Sequence, residues 1–214
     1  MIQLSTGVEQ QVKAAIPILK QGGLVAFPTD TVYGLGACFN LPQSVERIYA
    51  IKERPRHMPL PLLLADVAEI AEFAESIPPV GRLLIRHFLP GALTLVLLKS
   101  SAVPDFITAG SATVALRVPA HPVPVALAKG LGVPIVGTSA NLSGMPSPLT
   151  ATEVYAQLGK RVDLIIDGGR CPGGKESSIV DVTGATSVIL REGAIARAEL
   201  ERVCGRVILA QEAR

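Results

Sequence analysis

The stretch Leu24–Gly36 reads LVAFPTDTVYGLG, four apolar residues and a proline followed by hydroxyls, a carboxylate and glycines. Four consecutive apolar residues are typical of a short strand buried on both faces, and Pro28 ends that strand. We expect the segment Thr29–Gly36 to form a loop. Polar loops at strand ends are where α/β proteins usually bind ligands. This stretch therefore predicts an α/β fold with a binding site beyond its first strand.

A helix is predicted before this strand. Apolar residues recur at helical spacing over Val8–Leu19. Thr6, with Glu9 three residues later, matches a capping box at the helix start. Pro17 lies inside the pattern and is expected to kink the helix.

Helices and apolar strands continue to alternate towards the C terminus. Further helices are predicted at 42–51, 66–77, 80–87, 122–129, from 150, and at 194–204, and further strands at 60–65, 92–98, 112–118, 134–137, 162–166, 178–182 and 187–190. This order implies an α/β (α+β) fold of three layers, with helices on both faces of one sheet. The last strands lack crossover helices, so the sheet is expected to be mixed. No repeat or linker divides the chain, which predicts a single domain, 1–214, with a core over about 8–204.

Composition excludes several classes of protein. Hydrophobic residues make up 49% and charged residues 18% of the 214 positions, which excludes a disordered chain. Aromatic residues are 4%, without tryptophan, so stacking surfaces for single-stranded nucleic acid are scarce. The net charge of +2 means that any anion site must be a local cluster.

The cysteines and the N terminus indicate the compartment. Cys38, Cys171 and Cys204 are far apart in sequence and form no C-x-x-C pair, so neither a disulfide framework nor a zinc site is predicted. The N terminus has no secretory pattern, and apolar runs such as 92–98 are too short for a membrane span. We expect a soluble, cytoplasmic protein with no membrane contact.

Cationic residues lie at or near the predicted strand ends, interleaved with serine, threonine and glycine. They are Lys52, Arg54, Arg117, Lys175 and Arg191. Each has a simpler explanation by itself, because cations favour helix ends and polar residues close turns. Taken together, they provide the donors that phosphate and carboxylate oxygens require. The pattern predicts an anion pocket.

Familiar catalytic motifs are incomplete in this chain. The run 169–175 matches G-x-x-x-x-G-K, but Glu176 stands where a phosphate-binding loop needs serine or threonine. No G-x-G-x-x-G follows the first strand, and the three histidines lack metal-binding spacing. The run 137–141, GTSAN, departs from the G-x-S-x-G of hydrolases at its last position. Chemistry by positioning and charge stabilisation is favoured over a covalent nucleophile.

Six segments occur together in the order found in one family. They are PTDTVYGLG (28–36), KERP (52–55), LRVP (116–119), SANLSG (139–144), SSIVD (177–181) and LREG (190–193). The chain resembles the short, single-domain form of the YrdC-like family, the threonylcarbamoyl-AMP synthases. The resemblance implies an open, twisted mixed sheet with a positively charged concave face. It implies synthesis of threonylcarbamoyl-AMP and pyrophosphate from L-threonine, bicarbonate and ATP.

The resemblance also implies roles for individual residues. L-Threonine would be bound by Thr31, Arg117 and Ser177, with Arg117 as a fork for the carboxylate. ATP would be contacted at the positions Arg54, Met58, Thr113, Ser139, Asn141, Ser147 and Arg191. Lys52 and Arg54 would be catalytic, neutralising phosphate charge, and Mg²⁺ would arrive with ATP without dedicated protein ligands. Met58 replaces the usual asparagine or lysine, and Leu63 replaces a histidine found near threonine in some members.

The implied partner is a separate transferase complex that modifies tRNA, with contact to tRNA itself as a further candidate. Two alternatives keep the same fold. One is an RNA-binding module without chemistry, against which the low net charge and the few aromatics count. The other is the carbamoyl-transfer domain of hydrogenase-maturation proteins, which would be accompanied by acylphosphatase-like and zinc-finger segments. This chain contains neither.

Overall fold

Ten strands form one sheet in a computed structural model that describes residues 4–212. The strands are β1 (Val25–Phe27), β2 (Gly34–Cys38), β3 (Leu62–Leu63), β4 (Leu93–Leu98), β5 (Thr113–Arg117), β6 (Ile135–Ser139), β7 (Leu164–Ile165), β8 (Ser178–Asp181), β9 (Ser187–Arg191) and β10 (Val207–Leu209). Their order across the sheet is β10-β9-β8-β4-β5-β3-β6-β2-β1-β7. Neighbours in space are therefore often distant in sequence.

The sheet is mixed, as predicted. The pairs β1–β7, β3–β5, β4–β8 and β9–β10 are parallel. The pairs β1–β2, β2–β6, β3–β6, β4–β5 and β8–β9 are antiparallel. In the centre, Leu62 and Leu63 of β3 pair with Leu116 and Arg117 of β5. This register places the guanidinium of Arg117 near the middle of the sheet's width.

Eight α-helices accompany the sheet in the described part of the chain. They are α1 (Thr6–Lys20), α2 (Pro42–Lys52), α3 (Ile70–Phe73), α4 (Pro79–Phe88), α5 (Asp105–Thr108), α6 (Pro122–Leu131), α7 (Ala151–Leu158) and α8 (Arg197–Cys204). Pro42, Pro79 and Pro122 each lie in the first turn of a helix. Backbone N–H groups in a first turn have no intrahelical acceptor, so the missing proline N–H costs no hydrogen bond. Thr150 caps α7 by accepting a hydrogen bond from the Glu153 N–H.

Two apolar cores lie on opposite faces of the sheet. Side chains alternate along a strand, so Leu62 and Leu64 enter one core and Leu63 the other. The larger core packs under α2, α4, α7 and α8, and the smaller core packs under α1 and α6. Helices on both faces are thus confirmed.

The smaller core covers only half of its face. Its buried strand residues come from β1, β3 and β6, and none come from β4, β5, β8 or β9 among the residues described. Over these four strands, residues 4–212 place no helix on that side of the sheet. The uncovered half forms the floor of the cleft described below.

Several predicted elements differ from the structure. Thr6 is the first residue of α1 rather than its cap, since the N-cap is Ser5, and α1 runs as one helix through Pro17. The predicted helix 66–77 is a 3₁₀ turn, Val67–Glu69, followed by α3, which ends at Phe73. Ala74 instead forms a β-bridge with Lys99.

Strand β2 was predicted as part of a loop, and β10 and α5 were not predicted. Glycine is a poor strand former, so the GLGAC sequence of β2 gives no strand signal. Close packing explains why position 36 is a glycine. A Cβ on Gly36 would lie 2.5 Å from the Ile135 side chain and 2.8 Å from the Phe27 ring. The strand is set by its neighbours rather than by its own propensity.

Candidate active site

The uncovered half of the sheet is the floor of a cleft of about 400 Å³. Seven of the predicted site residues line it: Thr31, Arg54, Met58, Arg117, Ser139, Ser177 and Arg191. A second pocket of about 560 Å³ lies against α4 and contains none of the predicted site residues. The smaller cleft is the candidate site because its polar groups converge from seven separate segments of the chain.

Arg117 anchors one end of the cleft from the last position of β5. Its Nη2 donates to the Asp30 carboxylate at 2.7 Å, and its Nη1 donates to the Thr31 hydroxyl at 3.1 Å. Its Nε donates to the Gly91 carbonyl at 3.0 Å. The residue is 7% exposed. A guanidinium has five N–H donors, so two remain without a protein acceptor among the described residues.

The loop after β1 presents Thr31 to this guanidinium. The Thr29 hydroxyl accepts from the backbone N–H groups of Thr31 and Val32 and donates to the Val32 carbonyl at 2.6 Å. It also lies 3.0 Å from the Thr31 hydroxyl. Burial lowers the pKa of Arg117, and the Asp30 carboxylate opposes that shift. The Arg117–Asp30 ion pair is thus buried, and the polar groups around it are hydrogen-bonded.

Ser177 and Arg191 meet on the opposite side of the cleft. Arg191 donates from Nε and Nη2 to the Ser177 carbonyl at 3.0 and 2.8 Å, and from Nη2 to the Ser177 hydroxyl at 3.2 Å. The Thr94 hydroxyl of β4 lies 2.7 Å from the Ser177 hydroxyl. Burial lowers the pKa of Arg191, and Glu176 opposes that shift.

Arg54 enters the cleft from the segment after α2. Helix α2 ends at Glu53, which adopts a left-handed conformation with φ of 54° and turns the chain. The Arg54 side chain donates to the Met58 and Pro59 carbonyls at 3.4 and 3.1 Å. Burial lowers the pKa of Arg54. Met58 is 41% exposed at the cleft rim and offers an apolar surface instead of a polar side chain.

Lys52 does not line the cleft, and its amine is buried beneath the loop that follows β6. It is 1% exposed, and its Nζ donates to the carbonyls of Ser139 and Asn141 at 2.5 Å each. Burial, with the nearby charge of Arg54, lowers the pKa of Lys52 to about 7. Lys52 therefore supports the Ser139 loop in this structure, and its catalytic role in neutralising phosphate charge stays a prediction.

Asn141 is also placed inside its own loop. Its amide Nδ2 donates to the Leu142 and Met145 carbonyls at 2.8 Å each, and its Oδ1 lies 3.5 Å from the Lys52 amine. It does not line the cleft. Its hydrogen bonds shape the loop that carries Ser139, and the ATP contact of Asn141 stays a prediction.

Thr113, Ser147 and Lys175 lie outside the lining of the cleft. Thr113 shares a face of β5 with Ala115 and Arg117, at the outer end, and its hydroxyl lies 2.9 Å from that of Ser111. The Ser147 hydroxyl donates to the Glu176 carboxylate. Lys175, one of the clustered cations, is exposed and does not line the cleft.

Glu176, Asp30 and Thr94 are polar residues at the site that the sequence did not single out. Burial alone would raise the pKa of Glu176, but the Ser147 hydrogen bond and the charges of Arg191 and Lys52 lower it overall. Thr94 gave one usable signal, because it is the polar residue inside the apolar strand LTLVLL. Its partner Ser177 is 83 residues away, so no local pattern connects them.

Comparison with known proteins identifies the family. The Sua5/YciO/YrdC family, described as telomere recombination, matches residues 17–193. The chain belongs to this family. The resemblance inferred from the six segments is thereby confirmed, together with the α/β fold class.

Relatives and solved structures agree with this assignment. The threonylcarbamoyl-AMP synthase of Pyrococcus abyssi is 41% identical over 199 residues, which are 93% of this chain and 58% of the relative. The threonylcarbamoyl-AMP synthase of Bacillus subtilis is 40% identical over 206 residues, 96% of this chain and 59% of the relative. The crystal structure of P. abyssi Sua5 complexed with L-threonine has a TM-score of 0.90 at 41% identity, covering 94% of this chain and 59% of that one. The chain thus spans about three fifths of these relatives' length.

None of the helices in residues 4–212 has the length and apolarity that a bilayer crossing requires. The same residues contain no group of three or more His, Cys, Asp and Glu side chains placed to hold a metal ion. Glu176 is the carboxylate that lines the cleft.

Proposed function

We propose that this chain makes threonylcarbamoyl-AMP and pyrophosphate from L-threonine, bicarbonate and ATP, for threonylcarbamoyladenosine modification of tRNA. The observation that carries the proposal is the convergence of Arg54, Arg117 and Arg191 with Thr31 and Ser177 in one cleft. The names of the relatives and the threonine complex of P. abyssi Sua5 support it.

Threonine would bind at the Arg117 end. The two free N–H groups of Arg117 suit a carboxylate, and the hydroxyls of Thr31 and Ser177 suit the remaining polar atoms. Asp30 keeps the guanidinium in place, so it does not have to be ordered when the amino acid binds. A site that hydrogen-bonds a hydroxyl would reject valine, because valine leaves those groups unpaired.

ATP would lie towards Arg54, Ser139 and Arg191. The threonine amine would attack the bicarbonate carbon, and a bicarbonate C–O bond would break as water leaves with an amine proton, giving an N-carboxylate. An oxygen of this N-carboxylate would then attack the α-phosphate and displace pyrophosphate. Two anions must approach one another, and their repulsion has to be neutralised before they react. Arg54 and Arg191 are already held in place by backbone carbonyls, so they would stabilise the developing charge with little reorganisation.

Mg²⁺ would accompany ATP. This ion binds through substrate phosphates and one or two carboxylates, and Glu176 is the carboxylate available on the cleft lining. When bound, it supplies charge neutralisation to the departing pyrophosphate. Glu176, hydrogen-bonded by the Ser147 hydroxyl, would be the residue that holds the ion.

The product would pass to a separate transferase complex acting on tRNA, with direct tRNA contact as a further part of the proposal. The cleft is open to solvent along the uncovered half-sheet, which gives the product a route out. Two lining residues are apolar where the family resemblance implies polar side chains: Met58 at the rim and the buried Leu63.

The test is ATP-dependent pyrophosphate release measured with threonine and bicarbonate together and with each omitted. We expect release only with both. In Arg117→Ala the KM for threonine should rise about 10- to 100-fold, the value of a charge-assisted hydrogen bond, and Arg117→Lys should recover only part of the loss. Release that is independent of threonine, or unchanged turnover of Arg117→Ala at low threonine, would contradict the proposal. RNA binding without release would favour the RNA-binding module.

A further inference from the structure

Thr94 is a buried polar residue in the floor of the cleft. It is 2% exposed, flanked by Leu93 and Leu95 of β4, and its side chain faces the cleft. Its hydroxyl oxygen lies 2.7 Å from the Ser177 hydroxyl oxygen. This is the sole side-chain hydrogen bond of Thr94 among the residues described.

The direction of that hydrogen bond determines what Ser177 can offer a ligand. A hydroxyl has one proton and two lone pairs. Arg191 Nη2 donates to the Ser177 oxygen, so one lone pair is already used. If Ser177 donated to Thr94, it could only accept from a ligand. If Thr94 donates to Ser177, both lone pairs of Ser177 are used and its proton is free.

In either direction, one proton of the pair lies between the two oxygens and one remains. Both hydroxyls are buried, with Thr94 2% and Ser177 4% exposed, and both residues line the cleft. A buried donor without an acceptor is costly, so the remaining proton has to find its acceptor in the cleft.

We infer that Thr94 is a positioning residue, which holds the Ser177 hydroxyl in the orientation that meets the bound amino acid. The hydrogen bonds of Thr94 and Arg191 fix the Ser177 oxygen from two sides. Thr94 does not itself need to touch the substrate. This inference rests on the proposed function for the identity of the ligand as L-threonine.

The test compares Thr94→Val, which keeps the shape but loses the hydroxyl, with Thr94→Ser, which keeps the hydroxyl. Binding of L-threonine is measured by calorimetry, and the KM values for threonine and ATP by pyrophosphate release. In Thr94→Val we expect threonine binding and its KM to weaken about tenfold, the value of one hydrogen bond. The KM for ATP should change less than twofold, and Thr94→Ser should bind threonine as the wild type does.

Thr108→Val is the matched control, because it removes a buried hydroxyl whose partners, the Asp105 and Ser111 carbonyls, lie outside the cleft. It should leave both KM values unchanged. Wild-type threonine affinity in Thr94→Val, or an equal loss for threonine and ATP, would overturn the inference. If the wild type binds threonine but releases no pyrophosphate, the proposed function fails while the calorimetric comparison still decides the role of Thr94. A wild type that binds no threonine overturns both.

Discussion

At the scale of single residues, the cleft is built from charges that the protein itself holds in place. Arg117 is paired with Asp30, Arg191 with the Ser177 carbonyl, and the Lys52 amine with two loop carbonyls. Lys52 is the most enclosed of these cations. Its burial has a consequence for stability, because desolvation disfavours the protonated amine.

Stability should therefore depend on the titration of Lys52. The pKa of Lys52 falls from its ordinary 10.5 to about 7 in the folded protein, so the unfolded chain binds more protons between these values. The contribution of this site to stability then rises with pH across that window and is smallest below it. Urea unfolding should show the wild type gaining stability relative to Lys52→Met between about pH 7 and about pH 10. Parallel stability curves for the two proteins would contradict the shift.

At the scale of elements, the approach of two strands positions Ser177. The turn after β9 passes so close to the segment before β8 that a Cβ on Gly193 would lie 2.2 Å from the Glu176 carbonyl oxygen and 2.5 Å from the Ser177 carbonyl carbon. The Ala194 N–H donates to that Glu176 carbonyl at 2.8 Å. The two segments carry Ser177 and Arg191, so their contact sets the geometry of the site.

Gly193→Ala should therefore disturb both folding and binding. Backbone cannot move aside cheaply, so we expect a loss of about 1–3 kcal/mol in the free energy of unfolding. The KM for threonine should rise at least about tenfold, because Ser177 is displaced from Thr94 and loses its hydrogen bond. Denaturation and pyrophosphate release measure the two effects.

Gly184→Ala is the control, since its nearest neighbour would be the Thr186 carbonyl oxygen at 3.9 Å. It should change neither measurement. Equal behaviour of the two alanine variants would show that the close approach at Gly193 does not constrain the site.

At the scale of the whole molecule, the uneven helix coverage of the sheet leaves a cationic cleft on a nearly neutral protein. The net charge is +2, yet three guanidinium groups line the uncovered half-sheet. A ligand that binds only the folded state raises its stability by mass action, about 2.7 kcal/mol at a hundred times Kd. An anionic nucleotide should act in this way here.

ATP should raise the Tm of the wild type, and the rise should shrink with added salt. The double variant Arg54→Ala/Arg191→Ala should lose the rise. Arg82→Ala/Arg86→Ala removes the same charge from the exposed side of α4 and should keep it. Thermal unfolding with and without ATP measures all three proteins. Loss of the rise in both double variants would indicate a general charge effect rather than a cleft.

The amino-acid sequence by itself determined the fold class, the mixed sheet, most helices and the family, because these depend on local apolar runs, helical spacing and short motifs. It also identified Arg54, Arg117, Ser139, Ser177 and Arg191, which all line the cleft. The functional groups of these side chains follow from their residue types, wherever the residues stand in the chain.

Only the tertiary structure decided which face of the sheet stays uncovered and which polar groups pair there. The bonds Arg117–Asp30 and Thr94–Ser177 join residues 87 and 83 positions apart, so no local pattern encodes them. The glycine strand β2 and the burial of Lys52 and Asn141 likewise follow from neighbours distant in sequence. Propensity acts over a few residues, whereas the coverage of the sheet, the burial of side chains and their long-range hydrogen bonds depend on how separate segments pack together.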